Sequence, residues 1–194
     1  MSGSPGEMGD PTGRGDGLGR LRELLDEHGG LMATVLAPGG ARDQHESGEP
    51  SSSPAALAAA GPRAAGRREE YELLVEAIYE GYLLHYGSPR VVSASEADLR
   101  LLAGDQLYAI GLARLVALGD TAAVAELADT ITLSALAHGG GVHGLADAVW
   151  AAGARAVGWG SNEAHRRAKQ LAFAGAPDAI EAMRTSAATV PTPP

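Results

Sequence analysis

The chain has 194 residues, no cysteine, 45% hydrophobic but only 4% aromatic residues, and a net charge of −9. The shortage of aromatic residues argues against a large all-β sandwich or barrel. The lack of cysteine excludes disulfides, thiolate nucleophiles and cysteine-based metal sites. Fifteen basic against 24 acidic residues disfavour broad nucleic-acid binding, and Lys169 is the only lysine.

In chain order, residues 1–17 are Gly-, Pro- and Ser-rich with almost nothing to bury, which predicts disorder. Nothing there resembles a secretory signal, and no run is apolar enough to span a membrane, so a cytoplasmic location is expected. Residues 18–36 read as a tethered amphipathic helix. Leu18, Leu21, Leu25 and His28 or Met32 lie on one side, and Arg20, Glu23 and Asp26 on the other. Gly29-Gly30 should interrupt it. This helix either packs on its own domain or docks on a partner. Residues 37–66 are again low in complexity and predict a disordered linker.

A helical domain is expected over 67–188, followed by a frayed tail over 189–194. Its first helix, REEYELLVEAIYEGYLLHYG, repeats Leu74, Ile78, Tyr82 and His85, and ends at Gly87 and Pro89. Ser93 and Glu96 form a capping box for the next helix. There Leu99, Leu102, Ala103, Gln106, Ala109, Ile110 and Ala113 are expected to face inward. A helix apolar over most of its circumference belongs inside a bundle. Gly119 ends it, and Asp120 caps a third helix with Val124, Leu127, Ala128, Ile131 and Ala135 inward. After Gly139-Gly140-Gly141 come a glycine-containing helix, one capped by Ser161 or Asn162, and a last one after Pro177. The fold expected is all-α: a five- to six-helix bundle with a disordered N-terminal region.

Within this pattern, LLAGDQLYAIGLARL at 101–115 resembles the helix after the first aspartate-rich motif of trans-isoprenyl diphosphate synthases, the polyprenyl synthetase family. Ala103, Gly104, Asp105 and Leu107 match its A-G-D-x-L pattern, and Leu83, Leu84 and His85 match the family's L-L-H before the paired aspartates. The resemblance covers about 71–138 and implies an isoprenoid-synthase-like bundle. The departures are chemical. Tyr86-Gly87-Ser88-Pro89 stands where the first aspartates belong, a second D-D-x-x-D is missing, and so is the basic cluster that grips isopentenyl diphosphate. In the family those carboxylates bind magnesium, a hard cation that needs several oxygen ligands to bridge to phosphate.

Candidate ligand-binding residues are His85, Tyr82, Tyr86, Asp105 and Tyr108, since all five tyrosines fall in the first two domain helices and could line an apolar groove with polar tips. Asp105 on its apolar helix is expected to accept hydrogen bonds from a neighbouring helix or to pair with an arginine such as Arg114 or Arg155. Asp105 and Asp129 are weak metal candidates if their helices face each other. His138 and His143 flank the glycine triplet as helix caps or as metal or acid–base groups, and Arg166, Arg167 and Lys169 read as a solvated basic face or a contact for phosphate or an acidic partner. No nucleophile-elbow or phosphate-loop pattern is present, and no catalytic residue is assigned.

The reading that follows from the resemblance and its departures is a non-catalytic polyprenyl-synthetase-like protein. It would serve as partner or regulatory subunit in isoprenoid or quinone metabolism, bound to a prenyl diphosphate synthase or to copies of itself. The alternatives are a reduced enzyme that binds or transfers isoprenoid diphosphates with Mg²⁺, its only cofactor, and a generic helical interaction module.

Overall fold

The computed structural model describes residues 16–37 and 53–188. Of the disorder expected over 1–17 and 37–66, residues 1–15 and 38–52 lie outside the described residues, as does the frayed tail of 189–194, whereas 16–17 open the first helix. Among those residues the fold is all-α, and no helix is long and apolar enough to cross a membrane. The helices are α1 (Asp16–His28), α2 (Gly30–Thr34), α3 (Pro54–Ala60), α4 (Arg68–Tyr86), α5 (Ala97–Ala117), α6 (Thr121–Gly139), α7 (Leu145–Trp159), α8 (Glu163–Phe173) and α9 (Ala179–Ala188).

The central helices are α4 and α7. Along α4, Leu74, Val75, Ala77, Ile78, Tyr82 and Leu84 are buried on more than one side. This lets α4 join two apolar clusters. One is shared with α3, α6, α7, α8 and α9, the other with α1, α2 and α5. Helix α7 is enclosed because its Ala and Gly residues are small enough to sit against several neighbours at once. At Gly153, for example, any Cβ would collide with Thr130 of α6.

The N-terminal helix packs on its own domain. Leu21, Leu24, Leu25 and Met32 are buried with Ala77, Leu84, Ala103 and Leu107, and Arg20 donates to Glu72 at 2.8 Å. Gly29 and Gly30 break α1 from α2 with φ of 70° and 58°, a region glycine reaches without strain. The segment then bridges Leu36 to Val92 antiparallel.

The second half of the expected linker is also ordered. Ser53 caps α3 by accepting from the Ala56 amide, and Pro54 occupies the first turn. Both are helix-start signals that the low-complexity composition concealed. Ala55, Ala58, Ala59 and Ala64 are buried between α4 and α7. At the crossing, Gly61 and Gly158 bring two backbones into contact, where a Cβ on either residue would collide with main chain.

Two expected helix faces are rotated. Along α5 the buried residues are Ala103, Gly104, Leu107, Ile110, Gly111 and Leu115, whereas Leu102, Ala109 and Ala113 are exposed. Close approach to α4 explains this: Gly104 and Gly111 leave room for His85 and Ile78, which a leucine face could not. So α5 lies at the periphery rather than inside. In α6 Ala123, Glu126, Leu127, Thr130, Leu133, Ser134 and Ala137 face inward, while Ala128 is exposed and Val124, Ile131 and Ala135 are half-buried. The capping box is not used either, since α5 starts at Ala97 without a side-chain cap, and the Ser93 amide is spent on the Val35 carbonyl. Asp120 does cap α6, accepting from the Ala123 amide while binding Arg63 and the Tyr71 hydroxyl.

Candidate functional site at the carboxyl end of the central helix

The last two turns of α4 carry Tyr79, Tyr82, His85 and Tyr86, so helical spacing alone sets them near one another. Packing adds rings from three other helices. Tyr82 lies 5.2 Å from Trp150 of α7 and 5.7 Å from Tyr86, centroid to centroid. Tyr86 stacks flat on His138 of α6 at 4.3 Å, and the Tyr82 hydroxyl is 3.0 Å from His138 Nε2. His85 stacks on Tyr108 of α5 at 5.4 Å.

The five expected ligand-binding residues therefore form one cluster, and the structure adds His138 to it. The segments 83–85 and 103–107 meet here. His85 crosses α5 at Gly104, where an added Cβ would lie 2.5 Å from its Nε2. The same Nε2 is 3.3 Å from Asp105 Oδ1. Asp105 pairs with neither Arg114 nor Arg155; Arg155 lies over the Trp159 ring. Its side chain is 71% exposed, so the burial cost that motivated an arginine partner does not arise.

Burial, reinforced by Asp147, pushes the Tyr82 hydroxyl up to about 12. Burial likewise raises Tyr108, with Tyr86 and Asp105 adding to it, and raises Tyr79 against the opposing charge of Arg90. These phenols stay protonated at neutral pH and act as neutral hydrogen-bonding groups. Beside them a cleft of about 130 Å³ is lined by Tyr82, His138, Gly141, His143, Gly144 and Asp147. A larger, open hollow of about 400 Å³ lies at the other end of α4, between the charged residues Arg67, Arg68, Glu69 and Glu70.

Asp129 belongs elsewhere. It accepts from Lys169 of α8 at 2.7 Å, whereas Asp105 sits beside His85, so the two carboxylates are not brought into one site. Among the described residues no group of three or more His, Asp or Glu is placed to hold a metal ion.

Two polar clusters were not legible as such in the sequence. In the first, Glu126, His165, Lys169 and Ser186 tie α6, α8 and α9 together. His165 Nε2 is 3.0 Å from Glu126 Oε2, its Nδ1 is 2.8 Å from Ser186 Oγ, and Lys169 Nζ donates to Glu126 at 2.9 Å. Burial alone would raise the Glu126 carboxyl, but hydrogen bonds from His165 and Lys169 outweigh it and bring the carboxyl down to about 2. With that carboxylate ionised, Nε2 directs a proton at it, and Nδ1 and the Ser186 hydroxyl share a second hydrogen bond. The hydroxyl–imidazole–carboxylate order suits acyl transfer, but His165 and Ser186 are buried and the space beside them is only about 10 Å³. That volume holds at most a water, so this chain of bonds is a lock between helices. It also corrects the reading of Lys169, which points inward rather than joining Arg166 and Arg167 on a solvated face.

In the second cluster, Glu76 and Glu80 of α4 enclose Arg90. Glu80 is fully buried and accepts from the amides of Arg90, Val91 and Val92 as well as from Arg90 Nε. One carboxylate thus holds Arg90–Val92, the middle of the connection from α4 to α5. Burial raises the Glu76 carboxyl, and Arg90 only partly offsets it. The available signal was two glutamates four residues apart, set among residues that helical period places in the core.

Compared with protein-family models, with curated proteins and with solved structures, the chain matches none.

Proposed function

We propose that this chain is a non-catalytic, polyprenyl-synthetase-like helical protein, resident in the cytoplasm, that acts as partner or regulatory subunit in isoprenoid or quinone metabolism. One observation carries the reading: the α4–α5 crossing keeps His85 over Gly104 beside Asp105, yet the chain continues as Tyr86, Gly87 and Ser88, without a carboxylate. Nearby cations are engaged internally. Arg90 is held by Glu76 and Glu80, and Arg100 donates to the carbonyls of Leu84 and Gly87. A diphosphate needs cations aimed at its oxygens, and the cluster offers phenols, imidazoles and Asp105 instead. Such a surface suits recognition of apolar or neutral polar groups.

The test combines two measurements. The first is purification of the chain from its native host, expected to bring a prenyl diphosphate synthase or another enzyme of the same metabolism with it. The second is incubation of the chain with Mg²⁺ and labelled allylic and isopentenyl diphosphates, expected to give no product. Product formed by this chain unaided would overturn the reading in favour of the reduced-enzyme alternative. Recovery as a lone monomer would overturn its partner role.

A further inference from the structure

Among the described residues, one face of α5 is left without a neighbour. Asp98, Leu102, Asp105, Ala109, Ala113 and Val116 recur every three or four residues, so they form one stripe, and all six are exposed. Leu102 and Val116 each keep 56% of their surface in solvent. A helix apolar round most of its circumference is ordinarily enclosed, and an exposed apolar strip, here interrupted by Asp105, marks an interaction surface. The centre of this strip is Ala109 and Ala113, small enough for another helix backbone to approach closely. Its charges are Asp98 and Asp105, both acidic and seven residues apart, two turns of helix.

We infer that this face docks an amphipathic helix of a partner protein that carries lysine or arginine at two positions seven residues apart beside an apolar seam. Charge complementarity selects that occupant. Two copies laid parallel would bring four carboxylates together, and laid antiparallel would set Asp98 against Val116 and Asp105 against Ala109; neither pairing supplies a cation, which disfavours self-pairing. A basic helix meets Asp98 and Asp105 at the rim while its apolar residues cover Leu102, Ala109, Ala113 and Val116. Asp105 is exposed enough to take a cation while His85 stays beside it. This inference rests on the partner role proposed above and specifies the surface and chemistry of the contact, not the metabolism served.

The test uses the full chain and two synthetic helical peptides. One has leucine at the a and d positions and lysine at the e position of each heptad; its twin has glutamate in place of lysine. By fluorescence anisotropy the lysine peptide is expected to bind at least about tenfold more tightly than its twin. The double variant Asp98→Lys with Asp105→Lys is expected to reverse that preference. Leu102→Glu is expected to weaken both peptides, with unfolding midpoints near that of the parent because all three positions are exposed. Failure of both peptides to bind, or a preference that the charge reversal leaves unmoved, overturns the inference. So does self-association in sedimentation that Leu102→Glu abolishes, since it would assign the face to a second copy. If neither peptide binds but a partner still co-purifies, the docking chemistry fails and the partner role stands. If the lysine peptide binds and responds to charge reversal but the chain purifies alone, the partner role fails and the docking chemistry stands.

Discussion

Gly61→Ala tests the ordering of α3 most directly. Gly61 has φ −75° and ψ 157°, which alanine adopts readily, so any effect is steric rather than conformational. The added Cβ would overlap the Gly158 backbone, and from the opposite side a Cβ on Gly158 would lie 2.5 Å from the Ala58 carbonyl oxygen. Main chain cannot rotate away as a side chain can, so α3 must lift from α7 or detach. Detachment limits the cost. The four buried methyl groups of Ala55, Ala58, Ala59 and Ala64, at about 0.8 kcal/mol each, put the docking of this segment at roughly 3 kcal/mol. We therefore expect a loss of about 2–3 kcal/mol, or roughly 4–12 °C in Tm for a chain of this size. Hydrogen exchange should report it locally, with protection falling first over 54–64. Gly139→Ala is the control: its Cβ meets nothing within 4 Å, and it is expected to be neutral or slightly stabilising. If Gly61→Ala melts with the parent and keeps α3 protected, the backbone contact between α3 and α7 is wrong.

The Glu126 carboxyl, about 2 when folded against an ordinary 4.5, makes stability depend on acid. Its contribution is complete above about pH 4.5 and fades as pH falls towards 2, by about 1.4 kcal/mol per unit. Urea titrations across that window should show the loss, and Glu126→Gln should flatten it while lowering stability at neutral pH. Removing Glu80 as Glu80→Ala leaves Arg90 Nε and three amides without their acceptor while Glu76 still pairs the guanidinium, and is expected to cost about 3–5 kcal/mol in chemical denaturation. A change near 1 kcal/mol would mean that solvent reaches this cluster. Asp120→Ala removes a helix cap, the Arg63 ion pair and the acceptor of Tyr71 at once. It should therefore cost more than the roughly 1 kcal/mol of an ordinary cap, and Asp120→Asn should recover part of the loss. At the candidate site, Gly104→Ala is expected to push His85 off Tyr108, read by NMR as loss of the ring-current shift of the His85 protons. An unchanged spectrum would contradict the close crossing of α4 and α5.

The all-helical class, the six helices from α4 to α9 and most of their ends were legible in the sequence, because period, caps and glycine stops are local properties. Asp120 and Asn162 cap where their types and positions suggest. The tyrosine–histidine cluster was partly legible too, since Tyr82, His85 and Tyr86 share one helix and spacing alone brings them together. Burial in place of disorder was not. Helix α3 consists almost wholly of alanine, and its order comes from a slot between α4 and α7 that exists only where Gly61 meets Gly158. Nor could period choose between the competing faces of α5, which is apolar nearly all round; Gly104 and Gly111 decided it by letting α4 approach. The same holds for Lys169, whose direction was fixed by Glu126 and Asp129 on a helix 40 residues away in the chain. The sequence by itself determined which segments become helices and where they stop. The tertiary structure decided which faces are covered, because that depends on the distance at which two backbones can pack.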